Sequence, residues 1–481
     1  MKNTIWTRYL PFNKQEISKF ISISLIMVMI IFIYSTQRII KDTLVVSGLG
    51  AELISTMKLW GITPSAIIVM LLYAKLSDRF DKTFIFHLFN SMFVGYFLIF
   101  TILISPNIDY FKLDLGYIKN SLPYLRYPVI MVENWSYTFY YILAELWGSV
   151  MLSLMFWQTA NQVFKINQAK RLYPLFALIG QLGMIMSNLT VSFSTNKSLV
   201  HSWQESLVYI NLSVTVGGII LSALYFYLTN YLVDRNIINA ETVKKGRKKV
   251  SFFDGIKHVL SSRYIALITL LIICYGASIN LVEGIWKAQA RAAYPDRQSY
   301  AAFMANIQLY TAVVSAVAMI FGSYIMNKIS WRSAAIITPV TIFITGILFF
   351  TFTIFQSKIS PLPVSLSPLM LAVLFGSFQN VGSKGVKYAF FDSTKEIAYI
   401  PLDETLKSKG KAAADVVGGR FGKSGGALIT FILLLSPGAD LISISPVLFG
   451  FFLIIICIWF ISVHFLSKEF QIKASNSQDK V

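Results

Sequence analysis

Four short stretches place ionisable side chains where an apolar chain should not carry them. The first apolar run passes into Ile33-Tyr34-Ser35-Thr36-Gln37-Arg38-Ile39-Ile40-Lys41-Asp42, with Arg38 and Lys41 about a turn apart on one helical face. Glu145 sits in Tyr140-Tyr141-Ile142-Leu143-Ala144-Glu145-Leu146-Trp147-Gly148 with long apolar flanks. Glu283 and Lys287 close the stretch Ser278-Ile279-Asn280-Leu281-Val282-Glu283-Gly284-Ile285-Trp286-Lys287. The fourth stretch is Gly418-Gly419-Arg420-Phe421-Gly422-Lys423-Ser424-Gly425-Gly426. A charge at the bilayer centre costs several kcal/mol, so it normally faces a partner or a water-filled path. Cations outnumber acids here, which points to an anion held in a central cavity. Competing readings exist for most of them. Glu145 fits a structural ion pair, Arg38 and Lys41 fit side chains snorkelling to an interface, and Arg420 and Lys423 fit loop-side cations. Glu283, preceded by a long apolar run, is hardest to explain that way.

The stretch around Lys423 approaches a phosphate-cradling loop without being one. That loop needs four residues between its first glycine and the Gly-Lys-Ser, whereas Gly418 leaves three before Gly422-Lys423-Ser424. The apolar helix that follows and the lack of a preceding strand also argue against ATP hydrolysis. The ingredients still suit phosphate: glycines admit close backbone approach, a helix start there would offer free N–H groups, and Lys423 supplies a point charge.

The elements that must position these residues are membrane helices. Of 481 residues, 55% are hydrophobic and 14% charged, with a mean hydropathy of +0.62; soluble domains carry roughly 25% charged residues. Apolar runs near the length of the ~30 Å hydrocarbon layer recur to the end of the chain, which excludes a single cleaved leader before a soluble domain. Cys274 and Cys457 lie in apolar runs, and His87, His201, His258 and His464 are scattered, so neither a disulfide framework nor a metal site is expected. The reading is a carrier rather than an enzyme, without cofactor.

Spans are expected near 17–36, 57–75, 84–104, 137–157, 173–193, 208–231, 264–283, 302–325, 334–355, 368–388, 423–439 and 443–465. Twelve spans put both termini on one side, and about 31 of the 42 lysines and arginines then share that side, against about 11 opposite. Both termini are therefore expected in the cytoplasm, and orientation accounts for most of the net charge of +19. The fold class is all-α and polytopic, with two six-helix bundles over residues 1–231 and 264–481 and a basic linker at 232–263 that contains Lys244, Lys245, Arg247, Lys248 and Lys249. The halves echo each other. Lys75-Leu76-Ser77-Asp78-Arg79 follows the second span as Met326-Asn327-Lys328 and Arg332 follow the eighth, both resembling the cytoplasmic loop motif of the major facilitator superfamily. Gly180-Gln181-Leu182-Gly183 likewise pairs with Gly422-Lys423-Ser424-Gly425.

From residue 20 to 470 the chain resembles the nucleotide transporters of plastids and obligate intracellular bacteria, the ATP/ADP translocases. The resemblance is carried by the four charged stretches and by Phe156-Trp157-Gln158-Thr159-Ala160-Asn161-Gln162, Gln379-Asn380-Val381-Gly382-Ser383-Lys384-Gly385-Val386-Lys387-Tyr388 and Ala398-Tyr399-Ile400-Pro401-Leu402-Asp403. It implies transport roles for Lys41, Glu145, Glu283 and Lys423, with Arg38, Arg420 and Lys287 in support. It also implies exchange of external host ATP for internal ADP across a bacterial inner membrane by a monomeric carrier that binds no nucleic acid. Other nucleotides, by exchange or proton symport, or another anion on the same scaffold, are the alternatives. Tyr140, Trp147 and Tyr388 are candidate rings for stacking on a base.

Overall fold

Inside a bilayer every backbone N–H and C=O must be satisfied within the chain, which leaves helices as the natural solution for runs of this length. The computed structural model describes residues 14–164, 166–233, 262–326, 328–358, 367–402 and 410–478. The expected linker lies outside these residues over 234–261, as do Asn327 and Asp403. Among the described residues twelve long helices organise the fold: α1 (Lys14–Asp42), α2 (Leu53–Ser77), α3 (Lys82–Ile99), α4 (Trp135–Val163), α5 (Ile166–Ser194), α6 (Trp203–Leu232), α7 (Arg263–Ala293), α8 (Arg297–Met326), α9 (Trp331–Ile354), α10 (Pro368–Val386), α11 (Lys411–Leu434) and α12 (Ser445–Gln478). Ten segments among the described residues are long and apolar enough to cross a membrane. The two helices outside that set, α10 and α11, carry the polar motifs Gln379–Lys384 and Gly418–Gly426. The expected span 423–439 is corrected: its helix begins at Lys411, because the glycines that suggested a loop are helical.

Local signals fix several helix starts. Ser202, Ser262, Ser330 and Ser367 each cap the following helix through the side-chain oxygen, which satisfies one of the free N–H groups at a helix start. Pro368 takes the first turn of α10, where its missing N–H is not needed.

The glycine echo between the halves has a packing meaning. Gly180 and Gly183 of α5 rest on α1, where a Cβ on Gly183 would lie 2.5 Å from the Val28 carbonyl oxygen. Gly418 and Gly422 of α11 rest on α7 in the same way, with Gly422 against Gly276. The fifth helix of each half thus uses glycines to touch the first. Gly183→Val and Gly422→Val are each expected to lower stability by about 1–3 kcal/mol or more through overpacking. The check is the thermal midpoint of the detergent-extracted protein, with Gly419→Ala, which meets no atom within 4 Å, as the unaffected control.

Within residues 14–233 a chain of buried polar side chains sets the register of α1. Gln37 donates to Asn211 of α6 at 2.8 Å, and Tyr140 of α4 donates to Gln37. Asn211 donates to Thr101, and Thr36 bonds Ser187 of α5. Trp147 donates its ring N–H to the Ile30 carbonyl. These bonds hold α4 and α1 side by side with Arg38, Lys41 and Glu145 in fixed positions. Satisfied buried networks of this kind rigidify a core.

Polar contacts joining the two halves lie away from the termini. Gln298 donates to the Val200 and Ser202 carbonyls and to Ser206, Tyr127 donates to the Ala439 carbonyl, and Lys197 pairs with Asp296 at 3.0 Å. Asn188 and Asn306 bond at 3.2 Å, and Trp60 meets Phe431 edge-on. The opposite part of α2, Thr63–Ser77, has no buried residue.

Candidate functional site

The flagged charges of α1, α4 and α7 converge at one level of the bundle. Lys41 is 2.8 Å from Glu145 and 3.1 Å from Asp42, and its ammonium lies 3.9 Å from the centre of the Tyr141 ring. Lys287 is 2.9 Å from both Asp42 and Glu283. Glu283 also takes Lys58 at 3.1 Å and, more loosely, Arg38 at 3.9 Å. Lys58 donates to Asn280 at 2.5 Å. Four cations thus meet three carboxylates in a single chain of pairs that joins the two halves.

The sequence folds this way for local reasons. Wide π-type turns lie where α1 and α2 meet, Thr43–Ser47 directly after α1 and Met57–Ile62 within α2. Such turns shift side chains by a residue and recur at functional sites. Glu283 and Lys287 are four residues apart, so they share one face of α7. Trp286 anchors that turn by donating to Val373 and Ser377 of α10.

Burial separates the roles. The Lys41 side chain is 1% exposed and that of Lys287 3%, whereas Arg38 is 28% exposed. Lys41 therefore does not snorkel to an interface. Matching charges leaves a remainder: Lys41 with Glu145, Lys287 with Asp42 and Lys58 with Glu283 form neutral pairs, while Arg38 keeps only a distant share of Glu283. Lys384 of α10 stands close enough to Arg38, Glu283 and Lys287 to feel their charge. The net excess is positive.

The structure does not bring Arg420 or Lys423 into this network. Both are exposed on α11, and Lys423 takes part in no ion pair among the described residues. They remain connected to it through packing, because Gly426, less than a turn beyond Lys423, abuts Asn280. The idea that Gly418–Gly426 offers free helix-start N–H groups to phosphate is overturned: the segment lies within α11, whose backbone bonds are internal. Two aromatic candidates are also corrected. Tyr140 and Trp147 are fully buried and bonded to α1, so no base reaches them. Tyr388 is 43% exposed and lies under the Lys387 ammonium. Tyr34 sits below Arg38, its ring admitted by Gly148, where any Cβ would lie 2.5 Å from it.

Sequence reading passed over Asp42, Lys58 and Lys384 as site residues. Asp42 and Lys58 stand at the edges of their apolar runs, and Lys384 stands near the end of its expected span. Only the pairing across helices exposes them. Among the described residues no cluster of His, Cys, Asp or Glu fits a metal ion.

Comparison with known proteins now bears on these observations. The sequence profile of a family described as TLC ATP/ADP transporter matches residues 1–470. The chain is 38% identical to ADP,ATP carrier protein 1 of Rickettsia typhi, over 100% of this chain and 98% of that one. It is 39% identical to ADP,ATP carrier protein 1 of Chlamydia pneumoniae, over 100% and 96%. Among solved structures, a D-xylose-proton symporter superposes with a TM-score of 0.56 at 12% identity, over 93% of this chain and 96% of that one. That likeness concerns the fold alone: a multi-pass, major-facilitator-like arrangement of two helical bundles.

Proposed function

The chain belongs to the TLC ATP/ADP transporter family, and on that premise we propose that it exchanges external ATP for internal ADP by alternating access between its two bundles. The observation that carries this reading is the ion-pair chain, in which Glu145 and Glu283 occupy the cations that a polyphosphate needs. Arg38 and Lys384, the cations with the weakest claims on a carboxylate, receive the phosphates first. Lys41 and Lys287 follow as phosphate oxygens replace Glu145, Asp42 and Glu283. Lys423, on the exposed face of α11, draws the anion toward the network, with Arg420 beside it. At ~3 Å and an effective dielectric near 20, one ion pair is worth on the order of 5 kcal/mol. Breaking several without substitution is prohibitive; exchanging carboxylate for phosphate is not. Exchange follows, because the empty carrier holds its pairs and does not cross.

In this reading the termini lie in the cytoplasm of a bacterium, the protein spans its inner membrane as a monomer, and the contacts at Gln298 and Tyr127 close the external end. Tyr34 and Tyr388, the accessible rings near Arg38 and Lys387, are better placed for the base than Tyr140 or Trp147. Lys423→Ala is expected to raise the half-saturating ATP concentration about tenfold with a smaller change in maximal rate, since the side chain lies outside the paired network; initial-rate uptake curves check it.

Uptake of labelled ATP into proteoliposomes tests the reading. Internal ADP should stimulate uptake strongly, and a protonophore should leave it unchanged. Uptake that ignores internal ADP and collapses with the proton gradient would replace exchange with proton symport through Glu145 or Glu283. No ATP entry under any loading would point to another anion.

A further inference from the structure

Four of the network's charges form a set distinct from the rest. Asp42 ends α1 and Lys58 stands in the second turn of α2, so one acid and one base project from the two arms of a single hairpin. Facing them, one turn of α7 presents one base, Lys287, and one acid, Glu283. The pairs cross between the bundles in opposite senses, Asp42 to Lys287 at 2.9 Å and Lys58 to Glu283 at 3.1 Å. The set is neutral, so it is complete without any anion. It also fixes register, because sliding the hairpin by one helical turn along α7 would set like charges against each other. Asn280, one turn before Glu283, extends the grip by accepting from Lys58, and Gly426 of α11 packs against Asn280.

We propose that Lys58 and Asp42 are positioning residues that couple transport to exchange: paired with Glu283 and Lys287 they latch the empty carrier against reorienting, and neither of the two holds phosphate. This rests on the exchange reading given above. Lys58 is the informative member. Its removal leaves Glu283 paired with Lys287 and Arg38, so no acid is orphaned, and only the cross-bundle grip is weakened. A latch residue and a phosphate-binding residue then give opposite kinetics. Loss of a phosphate cation raises the half-saturating concentration. Loss of a latch lets the empty carrier return, so uptake begins to proceed without internal substrate.

The test is labelled-ATP uptake into proteoliposomes, empty or loaded with ADP, for the wild type, Lys58→Met, Lys58→Arg and Asn280→Ala. Lys58→Met should raise uptake into empty vesicles at least fivefold and reduce the stimulation by internal ADP by a similar factor, with half-saturation within twofold of wild type. Lys58→Arg should restore tight coupling, and Asn280→Ala should leak in the same direction by a smaller factor. A tenfold rise in half-saturation with ADP stimulation intact would overturn the latch and make Lys58 a phosphate ligand. Unchanged coupling in both Lys58→Met and Asn280→Ala would overturn it as well. If Lys58→Met does not insert, the Asn280→Ala result decides. Failure of the wild type itself to respond to internal ADP would instead refute exchange, so the two failures are distinguishable.

Discussion

Glu283→Gln is expected to lower the maximal rate of labelled-ATP uptake at least ~100-fold while leaving the protein in the membrane. The carboxylate takes Lys287, Lys58 and Arg38, and glutamine keeps its shape without its charge. Removing one partner of a buried pair costs about 3–5 kcal/mol, and each 1.4 kcal/mol is a factor of ten. The loss should fall on turnover rather than on binding. With no acid to reclaim them, Lys287 and Arg38 hold the nucleotide in place, so half-saturation should stay level or fall. Uptake within threefold of wild type would show that Glu283 has no part in releasing substrate.

Lys41→Ala is expected to be as severe, with a different signature. Lys41 is fully buried against Glu145, Asp42 and the Tyr141 ring, and among the described residues it is the ion-pair partner of Glu145. Its loss leaves a carboxylate in the path of a polyanion. Uptake should drop at least ~100-fold on the same arithmetic, with half-saturation rising in whatever activity survives. Lys41→Arg should rescue little, because a planar guanidinium does not fit the compact ammonium site over Tyr141. Full activity in Lys41→Arg would mean that only charge matters there, not the enclosed geometry.

These two residues, with Glu145, Arg38 and Lys287, were legible in the sequence because a charge amid apolar residues is conspicuous against its cost in lipid. Asp42, Lys58 and Lys384 were not. Each stands near a point where hydropathy marks the end of a span, and a charge there looks like an interfacial one. α1 runs on to Asp42 and α2 begins at Leu53, while Lys384 lies within the last turn of α10, so the three stand inside the bundle. The glycine-rich stretch failed for a different reason. Glycine permits close approach whether the neighbour is a phosphate or a helix, and composition does not say which. In α11 the neighbour is α7. Tyr140 and Trp147 carried a similar ambiguity: aromatic rings near a functional glutamate suit a base or a core, and their bonds to Gln37 and Ile30 place them in the core.

The twelve-helix plan itself was readable from run length and from the uneven distribution of lysine and arginine, and the two helices too polar to stand out on hydropathy, α10 and α11, are those carrying family motifs. Polarity in a span costs stability, and here it coincides with the residues that face or flank the charged network.

The central claim is that nucleotide, by replacing carboxylates as the partner of the buried cations, is what permits the external end to open. Lys197 and Asp296 face each other across the two halves at the end that the proposed orientation makes external, both well exposed, where an ion pair contributes little and spin labels are tolerated. The distance between labels at Lys197→Cys and Asp296→Cys, measured by pulsed electron resonance in a variant that retains exchange, is the most direct test. It should stay short without nucleotide and gain a longer population when ATP or ADP is added. A long population of equal size in the empty carrier would contradict the account.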